Sequence, residues 1–368
     1  MTTPPECCAC GSHDTTTVLD LGDVPIADAF PPVTSAPEGD PAGDVRHPLA
    51  MALCRQCGLA QIAQDDTEPE QPLGVEPRAL VEQAERAVAI ADARGWLPGR
   101  TVREFPSPHG GTWLPLVVRR GHVVTDGPAS VVLDSFGVMH EADQRGAWRA
   151  RADATAPDGV LLVQFHSLAA ILRHGQWSSL RHGHAAYYSF TSLSGLLAAV
   201  GMSVVGVETF DLYGGTVLVA ARHGRYRPDA AARAMLAEEA DLGVTDPVRL
   251  GRLQAAVDAD VAGLRAWLDA RADEDVRVMG YGAASVAVAR LGLAGIDSHV
   301  LEAVADVSPA KQGRRMPGTD IPIISPAALV EASPDRVLLM LPDLLPELEQ
   351  AYPELAGRWI VRTDRDSS

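Results

Sequence analysis

No cysteine occurs after residue 57 in this 368-residue chain. That absence excludes a disulfide framework spread over the whole length. Positive charge is also scarce: 31 Lys and Arg stand against 48 Asp and Glu, a formal net charge of -17. Such a balance repels phosphate backbones and anionic lipid, which argues against nucleic acid or a membrane surface as partner. It leaves room for a local basic pocket that holds an anionic small molecule. No apolar run reaches spanning length without polar interruption. The richest, ASVVLDSFGVM, contains Asp134 and has the length of a buried strand. The start, MTTPPECCAC, has no basic apolar leader, so a cytoplasmic location is expected.

What is present is globular in composition, with 46% hydrophobic and 21% charged residues, and long enough for two or three cores. Residues 1–70 are rich in turn formers and poor in large apolar groups. Residues 75–222 hold a helical stretch, QAERAVAIADARGWL, and strand-like runs at SVVLDSFGVM, GVLLVQF, SVVGVETF and GTVLVAARHG. A helix at SLSGLLAAVGM is expected to end near Gly201. Residues 223–272 carry apolar positions every three or four residues and read as a helical linker. Residues 273–362 alternate strand (VRVMG), helix (ASVAVARLGL), strand (VLEAVADV) and strand (RVLLMLP), the pattern of an α/β domain with mostly parallel strands. The polar tail RTDRDSS reads as frayed.

The five cysteines cluster as Cys7-x-x-Cys10 and Cys54-x-x-Cys57, with Cys8 beside them. Two such knuckles supply four thiolates to a tetrahedral zinc ion. Gly11 and Gly58 follow the knuckles, where a tight turn needs an unrestricted backbone. Structural zinc would also explain how so small a unit folds. With four ligands the ion keeps no open position for catalysis. The alternatives are unliganded thiols and an exchange of Cys8 for Cys7.

These knuckles, the segment LGDVPIADAF and the later stretches SFGVMHEAD, LRHGHAAYYSF, LYGGTVLVAARHG, GYGAASVAVARLGL and ADVSPAKQGRRMPGTDIPIISP resemble the zinc-binding, S-adenosylmethionine (SAM)-dependent sugar C-methyltransferases of antibiotic biosynthesis. The likeness runs nearly the whole chain, in order. It implies an α/β protein with a small zinc-binding N-terminal domain, a Rossmann-like methyltransferase core and a C-terminal Rossmann-like domain. It implies zinc and SAM as cofactors and a nucleotide-diphosphate deoxyketosugar as ligand, with a pathway enzyme as a further candidate partner.

The chain departs from the family where SAM would sit. Glu104 matches a family glutamate, but an Asn-Asp-Gly turn has become Pro106-Ser-Pro108-His109-Gly110-Gly111. Two prolines remove amide donors and oppose an ordinary strand-to-helix turn. After Gly121 the chain passes almost directly to ASVVLDSFGVMHEAD, so roughly 40–50 residues are missing by comparison with the usual core. The second strand with its ribose-binding acid falls in that gap, and Asp126 is at best a stray substitute. Glu104, Gly110, Gly111 and Asp134 are the remaining cofactor-side candidates.

The family's His-Glu-His motif is His182-Gly183-His184 here, so a carboxylate has been replaced by glycine. A tyrosine-rich segment is replaced by the tyrosine-free DDTEPEQPLGVEPRALVEQ, and Asp28 stands for an asparagine. His140 and Tyr187 or Tyr188 match family positions. With His184 and His182 they form the catalytic candidates. Methylation beside a ketone needs a base for the α-proton and a donor for the enolate. Three readings fit His182 and His184: a structural turn, proton transfer by His184, or a second metal site. Tyr213, Gly214 and Gly215 replace a His-Gly-Gly segment and read as substrate contacts or as a tight turn. Lys311, Arg314 and Arg315 are candidates for the diphosphate or are solvated loop charges. Three functions remain open: C-methyl transfer through an atypical site, histidine-driven enolisation or epimerisation without SAM, and a noncatalytic scaffold.

Overall fold

A computed structural model describes residues 5–33, 44–67, 75–108 and 110–362. His109, the tail from 363 and residues 68–74 of the tyrosine-free segment lie outside the described residues.

The zinc-lobe sheet is antiparallel, in the order β1 (Thr15–Pro25), β2 (Arg46–Cys54), β3 (Ala60–Ile62) and β8 (Ala186–Tyr187). Its last strand comes from the LRHGHAAYYSF stretch, far along the chain. Ala60 pairs with Tyr187 and Gln61 with Ala186. Leu19, Leu49, Met51 and Leu53 of this sheet pack on Leu180 and Tyr187, so the small lobe borrows its core from the next one.

The central sheet runs β5 (Val123–Val124), β4 (Thr101–Phe105), β6 (Ala129–Ser135), β7 (Thr155–His166), β10 (Thr216–His223), β9 (Met202–Phe210). Its first four strands are parallel, and β10 is antiparallel to both neighbours. Continuous runs such as SVVL and VLLV suit strands covered on both faces. Leu133, Leu162 and Leu218 face the helix Arg78–Ala93, while Val132, Leu161 and Val219 face the helix Phe190–Ala199. The run SVVLDSFGVM leaves the sheet at Ser135 because Asp134 accepts the amides of Gly137 and Val138 and bends the chain. A doubly wound sheet places two further strands outward of its first. Here only the two-residue β5 occupies that side, so the core is a shortened Rossmann-like one.

The helix Arg252–Asp273 joins the lobes: Leu253 and Val257 pack on the zinc-lobe sheet, Leu264 and Leu268 on the C-terminal core. The C-terminal sheet is fully parallel, ordered β13 (Ile323–Ile324), β12 (Val304–Ala305), β11 (Val278–Tyr281), β14 (Arg336–Leu339), β15 (Trp359–Val361). That is the doubly wound order 3-2-1-4-5. VLEAVADV yields only two strand residues, because Asp297 and Asp320 hold residues 298–301 in a turn.

Candidate functional site

The cysteine centre forms where two knuckles meet. The Gly11 amide donates to the Cys7 carbonyl and the Gly58 amide to the Cys54 carbonyl, each at 2.9 Å. Both glycines have positive φ, +77° and +74°. The sulfurs of Cys7, Cys10, Cys54 and Cys57 lie within 4.8 Å of one another, with Cys7–Cys57 and Cys10–Cys54 at 3.6 Å. A tetrahedral ion with Zn–S bonds of about 2.3 Å sets its sulfurs about 3.8 Å apart, so the set fits zinc. The bond from Cys57 pulls the Cys7 thiol down to about 5, while burial lifts Cys10 to about 11. Crowded thiols thus share protons unevenly, and a divalent cation would displace them. Cys8 stands outside the four: its amide donates to Gln61 and burial raises its thiol to about 12.

A second site is a cavity of about 1030 Å³ between all three lobes. The core contributes His140, His166, Arg181, His184, Tyr187 and Tyr213; Asp28 enters from the zinc-lobe side, and Ser285 and Lys311 from the C-terminal lobe. Its size suits a ligand larger than a bare sugar.

Four histidines line it: His140, His166, His174 and His184. His140 donates from Nδ1 to the Gly183 carbonyl at 2.8 Å, which leaves Nε2 as the acceptor. Burial holds His140 down at about 4, so it is neutral near pH 7. Its ring meets His184 edge-on, 4.6 Å between centroids. Arg181 donates from Nε to His184 Nε2 at 2.8 Å, covering that lone pair with a cation. Tyr187 braces this arrangement by accepting the Arg181 amide at 3.1 Å through its phenol oxygen. Gly183 has φ +82°, and a Cβ there would meet nothing within 4 Å. Its amide donates to Asp65 of the zinc lobe at 2.7 Å. His166, at the end of β7, escaped the sequence reading because no motif marks it. It contacts Gln176 through Nε2 at 3.1 Å, and burial holds it down at about 4.

Several candidates are placed elsewhere. His182 turns toward the zinc lobe, with Nε2 3.2 Å from the Pro48 carbonyl and its ring 5.9 Å from His47. Tyr188 is buried in the core, with its hydroxyl on Gln144. Neither lines the cavity. Among the described residues only the four cysteines group as metal ligands, so the second-metal reading of His182 and His184 falls. Arg315 is 3% exposed and forks onto Asp44 at 2.6 and 2.7 Å, and Arg314 donates to the Phe30 carbonyl at 2.6 Å. These arginines clamp the zinc lobe onto the C-terminal lobe rather than facing a diphosphate. Lys311 lines the cavity but donates to the Ala283 carbonyl at 2.7 Å, near Asp306 and over the Phe30 ring. Gly214 lines the cavity, and Gly215 lies under it, where a Cβ would strike Ala170 at 2.4 Å.

The two acids on the cofactor side make internal bonds. Glu104 accepts from the Thr112 hydroxyl and from the Trp113 amide at 2.7 Å. Asp134 is 1% exposed and bound to Arg151 at 2.7 Å, so it shapes the Ser135–Val138 bend instead of meeting a ribose. Glu104, Gly110 and Gly111 border a pocket of about 120 Å³ at the end of β4. Gly110 and Gly111 also line the large cavity. Asp126, just past β5, is exposed and borders neither.

Two family models match parts of the chain. Residues 7–71 match the family described as "Putative zinc binding domain", and residues 211–362 match the C-methyltransferase C-terminal domain. C-methyltransferase NovU of Streptomyces niveus is 27% identical over 405 positions, covering 97% of this chain and 94% of that protein. That alignment leaves about 48 positions without a residue from this chain. Among solved structures, the 1,6-didemethyltoxoflavin-N1-methyltransferase of Burkholderia thailandensis overlaps with TM-score 0.31 at 15% identity, over 45% of this chain and 96% of its own. The magnesium protoporphyrin IX methyltransferase of Synechocystis PCC 6803 overlaps with TM-score 0.29 at 12% identity, over 40% of this chain and 80% of its own. Both overlaps are partial, and the strand order above defines the fold without them. No helix among the described residues is long and apolar enough to cross a membrane.

Proposed function

With the chain a member of the C-methyltransferase family, we propose that it binds a nucleotide-linked deoxyketosugar in the three-lobe cavity and moves a proton there without transferring methyl. The observation that carries this reading is the 2.8 Å contact between Arg181 and His184 on the cavity wall. A cation and a neutral base, paired with each other, are the two groups that enolisation needs. A ketone oxygen that takes the Arg181 N–H uncovers the His184 lone pair. The α C–H bond then breaks, its electron pair becomes the enolate held by Arg181, and the proton goes to His184. Return of a proton to the same carbon regenerates the ketone, with exchange or with inversion. His140, pinned to the Gly183 carbonyl, keeps the His184 ring in place.

SAM has poor prospects as a co-substrate. The second strand, beside β4, is two residues long, and Glu104 and Asp134, the acids that would hold SAM, make internal bonds. Zinc fits the four cysteines and would act structurally, holding β2 and β3 against β8 and so fixing Tyr187 beside the cavity.

The test is calorimetric titration with SAM and with a dTDP-linked 4-keto-6-deoxyhexose, followed by proton exchange in D₂O. The sugar is expected to bind and to exchange its α-proton, and His184→Ala to abolish exchange while sparing binding. SAM binding in the micromolar range would sink the no-methylation reading. A bound sugar with no exchange would sink proton transfer, and binding of neither ligand would favour a noncatalytic scaffold.

A further inference from the structure

We infer that His166 is a specificity-determining acceptor for a ligand hydroxyl, set in place from the C-terminal lobe through Asp343, Tyr213 and Gln176. The inference rests on the sugar-binding reading of the cavity and names a contact that reading lacks.

The chain of bonds begins across the lobe junction. Asp343 Oδ2 accepts the Tyr213 amide at 2.9 Å. The Tyr213 carbonyl accepts from Gln176 Nε2 at 3.0 Å. Gln176 has then spent an N–H on the carbonyl, and its Oε1 faces His166 Nε2 at 3.1 Å. Oε1 can only accept, so Nε2 carries the proton and Nδ1 keeps the lone pair. Gly214 is part of the device: a Cβ there would lie 2.4 Å from Gln176 Nε2, so the amide reaches its place only past a glycine.

The backbone of this wall is strained as well. Among the described residues, four non-glycine residues have positive φ, and two of them, Phe136 (+60°) and Tyr213 (+57°), are cavity-lining aromatics. Their rings meet at 6.0 Å, and Tyr213 lies 6.4 Å from His166. Strain of this kind persists only where surrounding bonds over-determine it. Here Tyr213 is held at its amide by one lobe and at its carbonyl by the other. The result is an aromatic wall beside a neutral acceptor. Burial keeps His166 uncharged near pH 7, with Arg181 and His174 pushing the same way and the hydrogen bonds to Gln176 and the Tyr213 backbone pushing the other. A pyranose laid on the aromatic wall would offer His166 a hydroxyl donor, whereas a carbonyl or a carboxylate at that point would face a lone pair.

Two measurements on the full chain test this. The first is ¹⁵N-resolved NMR of the histidine side chains. His166 is expected as a neutral Nε2–H tautomer at pH 7, and Gln176→Leu and Asp343→Leu are each expected to mix the tautomers. An Nδ1–H or charged His166 in the wild type would overturn the inference whatever the ligand. The second is calorimetry with a dTDP-linked 4-keto-6-deoxyhexose and its ring-deoxy analogues. Loss of one hydroxyl is expected to weaken wild-type binding about tenfold. His166→Phe is expected to erase that preference and His166→Asn to keep part of it. Intact discrimination in His166→Phe overturns this inference alone. A wild type that binds none of the sugars overturns it together with the sugar-binding reading.

Discussion

The zinc-lobe cysteine centre and the β4 edge of the core are the two places where this chain's relatives suggest a cofactor, and they have fared differently. The four sulfurs keep a spacing that fits a tetrahedral ion. At the β4 edge, the outer strand is a stub and the acids have turned inward. The C-terminal sheet offers a milder version of the second case. Asp306, at the end of its second strand, accepts the Ala283 amide of the first loop at 2.8 Å, and Lys311 takes that loop's carbonyl. A structural metal, by contrast, holds the fold itself, so its ligands cannot be respent.

The largest expected effect breaks the intact side. Cys54→Ser, or chelation of the metal, should remove a ligand set that contributes to folding on the order of 10 kcal/mol in small zinc domains. The zinc-lobe sheet should melt and release β8, read as amide exchange at Ala186 and Tyr187 rising together with that of β2. Retained protection after complete metal loss would reverse the assignment of zinc as structural.

Next in size, Asp134→Ala takes the nearer carboxylate from buried Arg151 and leaves it only the longer Glu141 contact at 3.3 Å, and breaking such a buried pair costs up to about 3–5 kcal/mol. Denaturant unfolding should show that loss, and an unchanged SAM titration would separate the bend, which Asp134 holds through the Gly137 and Val138 amides, from any cofactor role.

The acid limb of stability is smaller. His140 and His166 sit at about 4 when folded, against 6.5 for the free group. Between those values the unfolded chain binds protons the folded one refuses, so stability should fall as pH drops from about 6.5 toward 4. His166→Phe should flatten that slope, as measured by urea midpoints across the range.

Gly183→Glu sharpens the contrast further. The space at position 183 is open, so only the positive φ opposes the side chain, at a cost of about 1 kcal/mol. Restoring the carboxylate should alter α-proton exchange without conferring methyl transfer, since the β4 edge remains short. Methylated product from this variant would show that the edge was never limiting. The smallest effect is Asp126→Asn, expected to leave both titrations unchanged.

Much of this was legible in the chain. Spacing and flanking glycines marked the knuckles, alternating apolar runs marked the parallel strands, and the short path from Gly121 to Ala129 marked the reduced sheet. The candidate site was legible in part. His140, His184, Tyr187, Tyr213 and Gly214 do line one cavity, whereas Tyr188 and His182 neighbour them in sequence and face other ways. Two residues apart along a bent segment, side chains point wherever the bend sends them. His166 carried no signal, since a histidine at a strand end becomes distinctive only once Gln176 and Tyr213 are behind it.

By itself the sequence pointed to the four clustered cysteines, the two α/β units and the short path after Gly121, because each is written in local spacing or in missing length. Tertiary structure alone decided how the charges are spent. Arg315 on Asp44, Arg151 on Asp134 and Arg181 on His184 are contacts whose partners lie 271, 17 and 3 positions away. A guanidinium reads the same in every sequence, and only the surface brought against it decides whether it clamps a lobe, bends a loop or waits beside a base.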